Sequence, residues 1–209
     1  MLSSVRWERA IGKYVFRDYP FTAFAAGQRV LDVGCGYGLQ LAQLADRGCR
    51  AFGVDVSANL VAKCGAQGLT VAVAAAEALP FRDHTMDGVV CKVVLSETDE
   101  ARALTEIGRV LAPGGTLRLC VHAVGYYVLY LWHAGDVRAV GYAVRSLVNT
   151  WLYVLFRVRL PGFLGDTLYQ SRPRLRDHYR RAGLRLIEDA PARTFLGLPV
   201  FLYQTVRRV

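Results

Sequence analysis

Residues 29–40, RVLDVGCGYGLQ, decide how this chain is read. A short apolar run closes on Asp32, and glycines follow at alternate positions, Gly34, Gly36 and Gly38. Glycine permits positive φ and lets a ligand approach the backbone closely. A glycine-rich turn between a strand and a helix suits a nucleotide-like ligand. The spacing departs from the dinucleotide fingerprint, because Leu39 stands where the third glycine of GxGxxG belongs.

Outward from that turn, strands and helices alternate. QRVLDVG is a buried strand, and LQLAQLADRG is a helix closed by Gly48. RAFGVDVS is a second strand ending at Asp55, and Ser57 N-caps the helix after it. LTVAVAAA, MDGVVCKVVL and GTLRLCVHA are the third to fifth strands. The helix DEARALTEIGRVL, stopped by APGG, lies between the last two. This alternation predicts an α/β fold, a doubly wound parallel sheet covered on both faces, with ligands at the carboxyl ends of the strands. Asp55 lies where such a fold places a carboxylate for both ribose hydroxyls, and it would repel a 2′-phosphate.

The rest of the chain has a different texture. Residues 3–17 read as a leading helix. Residues 124–134 and 137–156 read as two amphipathic helices rich in Tyr, Trp, Leu and Val, and the Gly/Pro loop RLPGFLGD follows. A helix over 173–182 and two strands, LRLIEDA and VFLYQTVRR, complete the chain. The inward stripe of that last helix is Leu175, Tyr179 and Ala182, which predicts an exposed His178.

Charge divides the chain in the same place. The formal net charge is +9; residues 1–122 contribute only +1 and residues 123–209 contribute +8, with arginine as the only cationic excess. Such asymmetry fits an acidic substrate, a membrane surface or nucleic acid, and equally a solvated arginine face. Five cysteines without a CxxC pair predict reduced, buried thiols and no metal site. Residues 119–135 are the longest stretch without Lys, Arg, Asp or Glu, too short for a membrane span, and no apolar leader follows the charged N-terminus. The expectation is a cytoplasmic protein, with contact to the inner face of the membrane left open.

Three further segments narrow the ligand: VDVS (54–57), AEALPFRDHTMDGVVCKVVLSETD (76–99) and RVLAPGG (109–115). With VLDVGCGYG, they resemble in order and spacing the class I S-adenosylmethionine-dependent methyltransferases, most of all the small-molecule subgroup related to quinone biosynthesis. The resemblance spans roughly residues 28–121. It implies a Rossmann-like seven-stranded sheet with an antiparallel last strand, a single domain over 1–209, and a helical acceptor-binding insertion at 124–165.

It also implies roles. Asp32, Gly34, Gly36 and Gly38 would hold the methionine end of S-adenosylmethionine, and Asp55 the ribose. Val56, Ala76 and Glu77 would surround adenine, and Lys92 would lie beside the methionine portion. Ala75 departs from the family, which often has an acidic residue or Asn there for the adenine amine.

His122, at the end of the fifth strand, is the candidate general base. Tyr126, Tyr127, Tyr130 and His133 are candidate contacts for a hydrophobic or aromatic acceptor, and the arginines allow it an acidic group. Ser96 and Glu97 could orient an acceptor hydroxyl or amine. CKVV (91–94) replaces the motif of enzymes that methylate amino groups of DNA or glutamine, and nucleic acid has only net charge in its favour. Three alternatives stay open: a peripheral-membrane lipid or quinone methyltransferase, a non-catalytic S-adenosylmethionine-binding regulator, and an insertion whose exposed face is a dimer contact.

Overall fold

The computed structural model describes residues 11–15, 19–134, 137–156, 168–190 and 192–209. Seven strands form one sheet in the order β3-β2-β1-β4-β5-β9-β6. They are β1 (Arg29–Val33), β2 (Arg50–Asp55), β3 (Val71–Val73), β4 (Met86–Lys92), β5 (Leu111–His122), β6 (Leu184–Asp189) and β9 (Phe201–Arg208). β1 to β5 pair in parallel, whereas β9 lies antiparallel between β5 and β6. β7 (Thr194–Phe195) and β8 (Leu198–Pro199) form a small hairpin within the long connection before β9.

Near-continuous apolar runs make the central strands buried on both faces, as a covered parallel sheet requires. Val30, Leu31, Val33, Val89, Val90, Leu117, Leu119 and Val121 are all buried. All five cysteines are free and buried. Helices α1 (Leu39–Asp46), α2 (Ala58–Ala66) and α3 (Glu100–Val110) connect the parallel strands. Ser57 Oγ caps α2 by accepting from the Leu60 N–H, and the Asp99 carboxylate caps α3 through the N–H groups of Ala101 and Arg102. Strand order reverses between β1 and β4, and that switch point opens the crevice used by ligands.

The insertion after β5 folds as α4 (Val124–Trp132) and α5 (Val137–Phe156), and α6 (Arg172–Arg181) leads back to the sheet. The loop expected over 159–166 lies outside the described residues. So does most of the leading helix, of which Ile11 and Gly12 are helical.

Three sequence expectations are corrected. The third strand keeps only Val71–Val73 of LTVAVAAA, because the chain turns off the sheet edge at Ala74. The APGG segment, expected to stop the helix ahead of a fifth strand beginning at Gly115, is drawn into β5 beside an irregularity opposite Met86–Gly88. His178 is buried rather than exposed, with its Nε2 3.0 Å from Glu100 Oε1. Glu100 is itself wholly buried and lies 2.8 Å from Arg174 Nε. A carboxylate at the start of α3 therefore anchors α6 through two cationic-capable side chains.

Candidate functional site

A cleft of about 470 Å³ lies over the carboxyl ends of β1, β2 and β4. Its walls include Gly34, Asp55, Val56, Ala76, Glu77 and Lys92, six of the residues expected to hold the cofactor. Leu60, Ala74, Val93, Val94, Glu97 and Thr98 complete the lining.

Asp55 organises the floor. Its Oδ2 accepts the Gly36 N–H at 3.0 Å, and its Oδ1 accepts the Ser57 N–H at 2.9 Å. The carboxylate thus ties the glycine turn to the second strand, and each oxygen retains capacity for another donor. Gly34 (φ +69) needs its missing side chain, because a Cβ would sit 2.3 Å from Val94 Cγ2. A Cβ on Gly36 (φ +55) would meet nothing within 4 Å, so the turn is open there. Gly38 adopts the left-handed conformation that starts α1.

Asp32 is buried directly before this turn. Burial pushes its carboxyl up to about 7, Lys92 opposes the rise and Asp55 adds to it. Lys92 lines the cleft with its ammonium 5.6 Å from the Phe21 ring centroid. Glu77 has a structural contact as well as a place in the wall: its Oε1 accepts the Asp99 N–H at 2.8 Å, which fixes the start of α3. Ala76 is buried, whereas Val56 is 71 % exposed and stands at the rim.

Val93 has φ 62, a conformation costly for a β-branched residue, and its N–H donates to the Cys120 carbonyl. No periodicity in CKVV signals this turn. The chain leaves β4 here with Val93 and Val94 directed into the cleft wall.

The candidate base and acceptor contacts form a separate aromatic cluster. The His122 ring stacks on Tyr126 at 3.6 Å between centroids and lies 5.4 Å from Phe201. Its Nδ1 has no hydrogen-bond partner among the described residues. Burial lowers its pKa to about 3, so the imidazole is neutral near pH 7. That is the form a base needs, but with little intrinsic drive to take a proton. Tyr126 also stacks on Tyr130, while Tyr127 has no exposed surface and packs against Tyr142. His133 caps α4 through Nδ1 and the Leu129 carbonyl, 3.0 Å apart. Ser96 is buried with an unpartnered hydroxyl, and Glu97 reaches the cleft. Among the described residues, no cluster of His, Cys, Asp or Glu could hold a metal ion.

With this geometry in place, comparison with known proteins is decisive for one segment: residues 31–119 match the profile described as a methyltransferase domain. The motif resemblance described above is met over those residues. An uncharacterized methyltransferase of Mycobacterium tuberculosis is 35 % identical over 97 residues, covering 46 % of this chain and 40 % of that protein. A demethylmenaquinone methyltransferase of Symbiobacterium thermophilum is 33 % identical over 136 residues, covering 59 % of this chain and 52 % of that protein. The chain thus spans about half the length of these curated relatives. The crystal structure of an S-adenosylmethionine-dependent methyltransferase from Mesorhizobium loti superposes with a TM-score of 0.66 at 18 % identity, covering 99 % of each chain. The matched segment therefore sits in a chain that shares that fold nearly end to end.

Proposed function

We propose that this chain transfers a methyl group from S-adenosylmethionine to a hydrophobic or aromatic small molecule, which can carry an acidic group. The observation that carries the donor half is Asp55, held by two backbone N–H groups on the floor of a cleft of fitting size. A vicinal diol can supply donors to the remaining capacity of its oxygens. Small Ala74 and Ala76 with apolar Val56 and Leu60 leave a flat slot for a purine, and Ala75 makes recognition there depend on shape and backbone. Asp32 behind Gly34 favours a cationic amine, whose charge would restore the carboxylate.

Bound at this site, S-adenosylmethionine supplies an electrophilic methyl on a sulfonium. The protein's part is then positioning: in-line alignment of acceptor and methyl provides much of the acceleration, and a base is required only for an acceptor that loses a proton. Helix α4 begins at Val124, two residues after His122, and brings Tyr126 and Tyr130 over the end of β5. That aromatic wall favours a planar apolar acceptor. A quinone-type ring is one such acceptor, in keeping with the activity named for the Symbiobacterium relative. We assign to His122, stacked on Tyr126 at the end of β5, the role of receiving an acceptor proton where one must be lost.

Isothermal titration with S-adenosylmethionine and S-adenosylhomocysteine tests the donor site, with binding in the micromolar range expected. Absence of binding by either at millimolar concentration refutes the reading. Binding without methylation of any quinone or phenol would leave a non-catalytic binder as the function.

A further inference from the structure

A second cavity, also of about 470 Å³, lies at the opposite end of the sheet from the donor cleft. It opens where α6 ends and the edge strand β6 begins. Leu184, the first residue of β6, pairs with Arg208 near the end of β9. Because β9 runs antiparallel to β5, this end of the sheet carries the amino ends of the parallel strands. The lining has two textures. Tyr179 and Leu184, both buried, and half-buried Leu186 make it apolar. The Tyr179 hydroxyl is turned to Gln204 Oε1 in the interior. Arg176 and Arg180 of α6 and Arg185 of β6 make it cationic, and no Asp or Glu lines it.

The carboxylates nearby are engaged elsewhere. Asp177 pairs with Arg180 and Arg181, Asp189 pairs with Arg172, and Glu188 accepts from the Thr205 hydroxyl. Arg176, Arg185 and Arg207, all exposed, make no ion pair or hydrogen bond among the described residues. Two of these placements are unfavourable in themselves. Arg176 and Arg180 stand four residues apart on one face of α6, where like charges repel. The β6–β9 ladder sets Arg185 directly opposite Arg207, and like charges so opposed destabilise a sheet. Cations are favoured in the last turn of a helix, which accounts for Arg180 and Arg181. That does not account for Arg176 in the middle of α6, nor for Arg185 and Arg207 on strands.

We propose that this cavity binds a small amphipathic phosphate monoester, with its head received by Arg176 and Arg185 and its apolar body against Tyr179, Leu184 and Leu186. Charge complementarity selects the head. A phosphate monoester approaches two negative charges near neutral pH, which matches two guanidinium groups without counter-ions, whereas a carboxylate offers one. The apolar lining selects the body, since a bare anion would leave it wet. The volume suits a small molecule. The site is remote from the donor cleft, so it does not depend on the methyl-transfer reading.

The full chain is titrated calorimetrically with octyl phosphate below its micellar range, and in parallel with octanoate, octanol and inorganic phosphate. Octyl phosphate should bind with a submillimolar Kd, and each of the other three at least about tenfold more weakly. Arg176→Gln with Arg185→Gln should weaken octyl phosphate binding at least about tenfold. Arg185→Glu provides a second variant if the first folds poorly. The melting temperature of either variant should not fall, because each removes a like-charge neighbour. S-adenosylhomocysteine affinity should not change. Equal binding of octanol or of inorganic phosphate, equal binding by a folded variant, or no binding of octyl phosphate overturns the proposal. So does displacement of octyl phosphate by S-adenosylhomocysteine, which would place it in the donor cleft. A single-stranded oligonucleotide that binds through these arginines and resists octyl phosphate would overturn it in favour of a nucleic-acid surface.

Discussion

Replacing Asp32 with asparagine should stabilise the ligand-free protein and weaken its binding of S-adenosylmethionine. Asp32 is 3 % exposed, and burial raises its carboxyl from 3.8 to about 7. Between those values the folded chain holds a proton that the unfolded chain has released. Stability therefore falls as pH rises across that window and levels off above it. The full displacement corresponds to roughly 4 kcal/mol. Water entering through the adjoining cleft relieves part of it, so ~2 kcal/mol is the expected measurable share. The amide introduced by Asp32→Asn would have nearly the same shape as the carboxyl and no charge to desolvate. In calorimetry of the ligand-free chain from pH 4 to pH 8.5, the variant's advantage should grow up to about pH 7 and then stay constant. At that plateau it should melt about 4–8 °C higher. Its affinity for S-adenosylmethionine should fall about tenfold or more, as expected for loss of a carboxylate facing a cationic amine. A stability difference that does not change with pH refutes the burial argument. Undiminished affinity refutes the assignment of Asp32 to the donor site.

Other substitutions probe other contacts. Asp55→Ala removes the acceptor shared by the Gly36 and Ser57 N–H groups; S-adenosylhomocysteine affinity should drop at least about tenfold by titration, with about 1–3 kcal/mol of stability lost. Gly125→Ala places a Cβ 2.4 Å from the Leu198 carbonyl oxygen; it should displace α4 and abolish acceptor methylation while nucleoside binding persists, and normal turnover would contradict the close packing. Glu100→Gln leaves Arg174 buried without its counter-charge; thermal melts should show a loss of about 3–5 kcal/mol, and a negligible change would show that α6 does not depend on this pair. His122→Ala should lower turnover about a hundredfold or more on an acceptor that must lose a proton, and full activity would remove it from the base role.

Legibility from sequence follows the range of the forces involved. The turn at Gly34–Gly38, Asp55 and the strand–helix alternation are written in local spacing, and six of the nine expected cofactor residues meet in one cleft. Local spacing misplaces His178 because its environment depends on Glu100, a residue 78 positions away on another helix. A helical period shows that one face differs from the other, but tertiary packing decides which face is covered. The left-handed Val93 leaves no trace either, since a valine run reads as continuous strand.

That ambiguity of face is the point on which the acceptor half turns. A helix closing over an apolar pocket in water would turn Val144, Val148, Trp151 and Leu155 inward, since burying each such side chain is worth about 1.5–3 kcal/mol. This chain covers Ala143, Ser146 and Thr150 instead and leaves the large side chains outside. Those side chains are between 43 % and 62 % exposed, so the stabilisation forgone is about half of that value for each. In the proposed function, donor recognition is built from carboxylates and glycines at strand ends, and acceptor recognition from the aromatic wall of His122, Tyr126 and Tyr130.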